Sequence, residues 1–171
     1  MPNGITERVK HRKTAVLELL ADGCKPTAYI KQTLDTTYEM AYYALTELES
    51  EGYVKRWKLG KTTVWCLNDE DYSNLINAIL REIRRIVESN NLRFVYPVKL
   101  YKLVLKDRNA LELIKKVAPV SPRNSAVLSV LNHLLRMIYG EPYSKGKKTV
   151  YFVANKGADV KHQQDPFTYV I

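Results

Sequence analysis

An eight-residue motif occurs twice in this chain, and each occurrence asks for a tight hairpin. Residues 60–67 read GKTTVWCL and residues 146–153 read GKKTVYFV, in register at an offset of 86 with no gap. Gly60/Gly146, Lys61/Lys147, Thr63/Thr149 and Val64/Val150 are identical, Trp65 faces Tyr151, and Leu67 faces Val153. A glycine-led turn followed by alternating apolar residues is a hairpin signal, and each copy follows an amphipathic helical stretch. A basic hairpin after a helix, repeated once, predicts two copies of one nucleic-acid-binding unit.

Charge is distributed unevenly around that repeat. Residues 1–68 hold 10 Lys/Arg against 8 Asp/Glu, residues 69–95 hold 4 against 5, and residues 96–171 hold 13 against 5, within a net charge of +9. The excess lies in the second half, where it favours a polyanion. With 171 residues and 46% hydrophobic side chains, the chain suits one large or two small globular domains. No apolar run approaches the roughly 20 residues that cross a bilayer, and the charged start MPNGITERVKHRK is unlike a signal peptide. A cytoplasmic, nucleoid-associated protein with no membrane partner is expected. Cys24 and Cys66 are too few for a disulfide framework or for a zinc site on their own. They read as small buried or half-buried side chains, with a redox or metal role as the lesser alternative.

Along the first copy, Val9, Val16, Leu17, Leu19 and Leu20 predict a helix closed by Asp22-Gly23. Pro26-Thr27 opens a short second helix, and Asp35 or Thr36 caps a third that carries Met40, Ala41, Ala44, Leu45 and Leu48. Gly52 stops it, and the hairpin follows. The stretches AVLELLADG, PTAYIKQTL, TTYEMAYYALTELESEGYV and VKRWKLGKTTVWCL resemble the winged helix-turn-helix superfamily over residues 8–68. Leu45, Leu48, Gly52, Tyr53 and Val54 match its pattern at the end of the third helix. The resemblance implies three helices and a basic wing, a mainly α, α+β fold, and binding to double-stranded DNA.

Residues 69–90 predict a long amphipathic helix through Leu75, Ile76, Ile79, Leu80, Ile83, Ile86 and Val87. It either packs on the wing domain and bridges the units or forms a homodimer seam. Leu92–Val98 is a short strand or linker. In the second copy, 101–115 lies over 17–31 at an offset of 84, and Val127, Leu131 and Leu134 lie over Ala41, Leu45 and Leu48. This partition gives a winged-helix unit at 1–68, a linking or dimerisation segment at 69–95, a second winged-helix-like unit at 96–154 and a tail at 155–171. One winged helix plus a different C-terminal α/β domain is the alternative.

The resemblance places base and phosphate contacts on the third helix and the wing of each unit. In the first unit these are Thr36, Thr37, Tyr38 and Tyr42, with Lys55, Arg56, Lys58 and Lys61 on the wing. No Lys or Arg lies between Lys31 and Lys55, so that helix reads bases weakly or serves a protein contact. In the second unit they are Arg123, Asn124 and Ser125, with Lys145, Lys147 and Lys148 on the wing. Arg and Asn pair bidentately with guanine and adenine edges, so the second copy is the expected reader. GxGxxG and P-loop patterns are absent, and His11, His133 and His162 are scattered. The expectation is a non-enzymatic protein with no metal or cofactor, an archaeal-type regulator or a replication or plasmid-type factor. A protein–protein adaptor is the alternative.

Overall fold

Capped amphipathic helices alternate with very short strands. The computed structural model describes residues 3–120, 125–146 and 148–153, the side chains of residues 3–6 and Lys145 excepted. In order, the elements are α1 (Asn3–Leu20), β1 (Lys25–Pro26), α2 (Thr27–Thr33), α3 (Tyr38–Ser50), β2 (Val54–Leu59) and β3 (Thr62–Leu67). They continue as α4 (Tyr72–Ser89), β4 (Phe94–Val95), α5 (Pro97–Leu105), α6 (Arg108–Ile114), α7 (Ser125–Tyr139), β5 (Tyr143–Lys145) and β6 (Lys148–Phe152). The fold is α+β, with two small antiparallel sheets ordered β1-β3-β2 and β4-β6-β5.

Local chemistry explains most boundaries. The Thr37 hydroxyl accepts the Met40 amide hydrogen at 3.2 Å and caps α3, while Ala41, Ala44, Leu45 and Leu48 form its buried stripe. Asp71 and Asp107 cap α4 and α6 in the same way, at 3.1 Å each. Both hairpins close with two-residue loops, because Leu59 pairs with Thr62 and Lys145 with Lys148. Gly60 and Gly146 open those loops at φ +60° and +61°, a region costly for any residue with a Cβ.

The helix expected to link or dimerise is a core element. Ile76, Ile79, Ile83, Ile86 and Val87 of α4 are all buried in one cluster with Leu100, Val104, Ile114, Val127, Leu131 and Leu135. Each such burial contributes about 1.5–3 kcal/mol, so these side chains stabilise the chain's own core. Segment 69–95 is also tied to the second hairpin, since β4 pairs with β6 (Val95 opposite Tyr151) just as β1 pairs with β3 (Lys25 opposite Trp65). That pairing equates Lys25 with Val95. The overlay at offset 84 matches the end of α1 to the end of α5 instead. Pro97, within the expected strand or linker, is the first residue of α5.

Two hydrophobic clusters meet at β3. Trp65 is fully buried among Val16, Leu20, Ile30, Leu45 and Leu48, and its Nε1–H donates to Thr27 Oγ1 at 2.7 Å. Val64 and Cys66, on the opposite face, join the larger cluster of the second half. The period-2 alternation thus feeds two cores rather than one core and solvent. Cys66 forms a disulfide with Cys24, which ties the segment before β1 to β3. The reading of both cysteines as free buried side chains is corrected: they are fully buried and bonded to each other.

Candidate nucleic-acid interface

The expected contacts of the first copy are largely committed within the chain. Arg56 Nε and Nη2 donate to the Glu49 carboxylate at 2.7–3.1 Å, and Nη1 donates to the Tyr42 hydroxyl. The guanidinium also lies 5.3 Å from the Trp65 ring centroid and 5.6 Å from that of Tyr42. Glu49 raises the Arg56 pKa, and Arg56 holds the Glu49 carboxyl below its usual range. Arg56 therefore ties β2 to α3 within the chain. Tyr42 is pinned at 6.0 Å edge-on to Trp65, with Tyr38 stacked on it at 5.9 Å. Thr37 is occupied as the α3 cap, and the Thr36 hydroxyl approaches the Met40 sulfur at 3.5 Å. The outward face of α3 carries exposed Tyr38, Glu39, Met40 and Tyr43.

On the first hairpin, Lys55, Lys58 and Lys61 are exposed. The hairpin's tip points at the second half of the chain. The Lys61 amide N–H donates to Ser129 Oγ at 2.9 Å, seating the tip on α7. A Cβ on Gly60 would stand 2.6 Å from Ser129 Oγ and 2.7 Å from its carbonyl oxygen, so only glycine admits this approach.

Around that contact lies a polar cleft of about 460 Å³ between Gly60-Lys61 and the Ser125, Ser129, Asn132, His133 and Arg136 side of α7. Ser125, His133 and Arg136 are exposed, and Arg136 meets Glu141 in an exposed ion pair at 3.5 Å. Asn132 is held by Tyr151, whose hydroxyl donates to its side-chain oxygen; burial raises the Tyr151 pKa. On the other side of Leu128 and Asn132 a second hollow runs to Lys99 and Lys102 of α5 and to Lys148 and Thr149 of β6. The structure therefore brings Lys61, Ser125 and Lys148 around one helix and leaves Thr36, Thr37, Tyr38 and Tyr42 on a separate face. Arg123, Asn124 and Lys147 lie outside the described residues, as does the Lys145 side chain. Sequence reasoning missed Lys99 and Lys102. Their i, i+3 spacing after a helix-starting proline was the available signal. Among the described residues no group of three or more His, Cys, Asp or Glu could hold a metal, and no helix is long and apolar enough to cross a membrane.

A crystal structure of hypothetical protein PyrSV_gp04 from Pyrobaculum spherical virus superposes with a TM-score of 0.79 and 40% identity, covering 85% of this chain and 95% of that one. The chain belongs to the same family as that viral protein. Within this family likeness, residues 72–152 match a protein-family model described as PSV, transcriptional regulator domain. Those limits run from the first residue of α4 to the last of β6. Among the curated proteins none matches. The half of the chain that holds α7 is thus similar to a regulator domain, and that similarity includes α4.

Proposed function

We propose that this protein is a non-enzymatic transcription regulator of an archaeal virus or its host, and that it binds duplex DNA through one composite face. Two winged-helix units build it, one from α1 to β3 and one from α4 to β6, with α6 as an insertion in the second. Helix α7 is the reader. The first hairpin's tip flanks it on one side, and Lys99, Lys102 and Lys148 flank it on the other. Arg123, Asn124 and Ser125 supply base-edge contacts from the approach to α7, and Lys145 and Lys147 add phosphate contacts from the second hairpin. The observation that carries this reading is the seating of the Gly60-Lys61 tip on Ser129, which puts basic residues of both halves around one polar helix face.

The test is anisotropy of labelled random duplex across a salt series. Lys61→Ala and Lys148→Ala should each lower the slope of log K against log salt by about 0.9, with little change in sequence preference. Tyr38→Ala on α3 should leave both slope and affinity unchanged. Failure to see salt-dependent binding to duplex, single-stranded DNA or RNA would sink the proposal. The exposed aromatic face of α3, with Glu39 and no cation, favours a second role as a protein contact. In that case Tyr38→Ala would release a protein partner and leave DNA affinity intact.

A further inference from the structure

The hollow between α5, α7 and β6 has features that phosphate contact with a duplex does not need. Its volume is about 580 Å³, within the range of small-molecule sites, and Pro97, Val98 and Leu128 give it mostly apolar walls. Lys99, Lys102 and Lys148 stand at its rim, and none of them is in an ion pair among the described residues. Tyr96 lines it as well, and the Tyr96 hydroxyl is buried without a hydrogen-bond partner among the described residues. A buried hydroxyl with no partner is destabilising, a penalty that a ligand atom within reach would remove. Burial also raises the Tyr96 pKa, which keeps the group a neutral donor at working pH.

We propose that this hollow is a binding site for a small organic anion, with an acidic head held by the rim lysines and an apolar or aromatic body lying between Pro97, Val98 and Leu128. Because the Tyr96 hydroxyl is closed off from solvent, binding includes a shift of the Tyr96 ring that lets this hydroxyl donate to the bound molecule. The hollow shares Leu128 and Asn132 with the polar cleft along α7, and its Lys148 belongs also to the proposed DNA face, so occupancy and DNA contact compete for that lysine. Backbone phosphate alone would meet the lysines without using the apolar wall or the buried hydroxyl. The presence of both features therefore favours an anion that brings its own apolar surface.

The experiment is calorimetric titration of the full chain with phenyl phosphate, inorganic phosphate and phenol as probes, with no DNA present, so its outcome is independent of the duplex-binding assay. Phenyl phosphate should saturate one site in about the millimolar range expected for a fragment, and each half-probe should bind about tenfold more weakly or worse. Tyr96→Phe should weaken phenyl phosphate about fivefold while leaving the thermal midpoint unchanged or raised, because it removes an unmet polar group. Lys99→Gln with Lys102→Gln should weaken phenyl phosphate and leave phenol as it was. The proposal is overturned if phenyl phosphate shows no saturable binding, if inorganic phosphate binds as tightly, or if Tyr96→Phe binds like the wild type. A lysine double variant that loses duplex affinity while phenyl phosphate binding is unchanged would assign those lysines to DNA alone and overturn it equally.

Discussion

Gly60 and Gly146 occupy matching positions in the two hairpins with matching backbone, at φ +60° and +61°, yet their surroundings differ. Changing each to Ala separates backbone strain from packing. A Cβ in the left-handed region costs about 1–2 kcal/mol, and the restriction of the unfolded chain returns a few tenths at both sites alike. At Gly146 none of the described residues lies within 4 Å of the new Cβ, so Gly146→Ala should lose only that net of about 1 kcal/mol. At Gly60 the Cβ would stand 2.7 Å from the Ser129 carbonyl oxygen and 2.9 Å from its carbon, backbone atoms inside α7 that cannot rotate away. Relief requires the hairpin tip to lift, which breaks the Lys61–Ser129 hydrogen bond and opens the packing around it. Overpacking of this kind costs about 1–3 kcal/mol and the lost bond about 1 more. Gly60→Ala should therefore lose about 3–5 kcal/mol in urea unfolding, at least about 2 more than its counterpart. Removing the Ser129 hydroxyl in a Gly60→Ala, Ser129→Ala chain should not restore it, since the carbonyl clash remains. Equal losses at the two glycines would refute the claim that the first hairpin is seated on α7.

The Cys24–Cys66 disulfide closes a loop over a sequence separation of 42, which by chain entropy corresponds to about 4 kcal/mol. The double change to Ala should lower the thermal midpoint by roughly 8–16 °C, and a shift under about 2 °C would show that the bond constrains little. Arg56→Ala should cost about 1 kcal/mol in urea unfolding, because the ion pair is largely solvent-screened, and should leave the salt slope of DNA binding untouched. A fall in that slope would return Arg56 to the phosphate contacts. Glu49, Asp22 and Asp107 all have lowered pKa values, chiefly through side-chain hydrogen bonds from Arg56, Lys25 and Arg85. Their stabilisation is present above the ordinary carboxylate values of 3.8–4.5 and is lost as pH falls below them. A thermal midpoint followed from pH 6 down to about pH 3 should drop in that window, and Glu49→Gln should flatten the drop.

The third helix of each copy and both hairpins were legible because their signals are local. Ala41, Leu45, Leu48 and their counterparts Val127, Leu131 and Leu134 are all buried, as periodicity at 3.6 residues demands. The α+β class came from the same signals. What α4 does was not legible. An amphipathic stripe announces that a face will be covered and says nothing of what covers it, and here the cover comes chiefly from α6, some 20–40 positions further along the chain. The two-residue strands β1 and β4 carry no periodicity at all, yet each completes a three-stranded sheet. The sequence likewise does not reveal that Glu49 of α3, seven residues before Arg56, pairs with its guanidinium. The disulfide depended on two distant segments meeting, which no spacing rule for two cysteines supplies.

β3 sits between both hydrophobic clusters, with Trp65 on one side and Val64 and Cys66 on the other. A chain cut after β3 would bare the Val64–Cys66 face, and a chain begun at α4 would lack the wall against which its helices rest. Neither half is free to change that strand for its own benefit, since any new side chain there must satisfy two neighbours of different shape. The two halves are in this way indivisible, with the first serving as part of the core of the second.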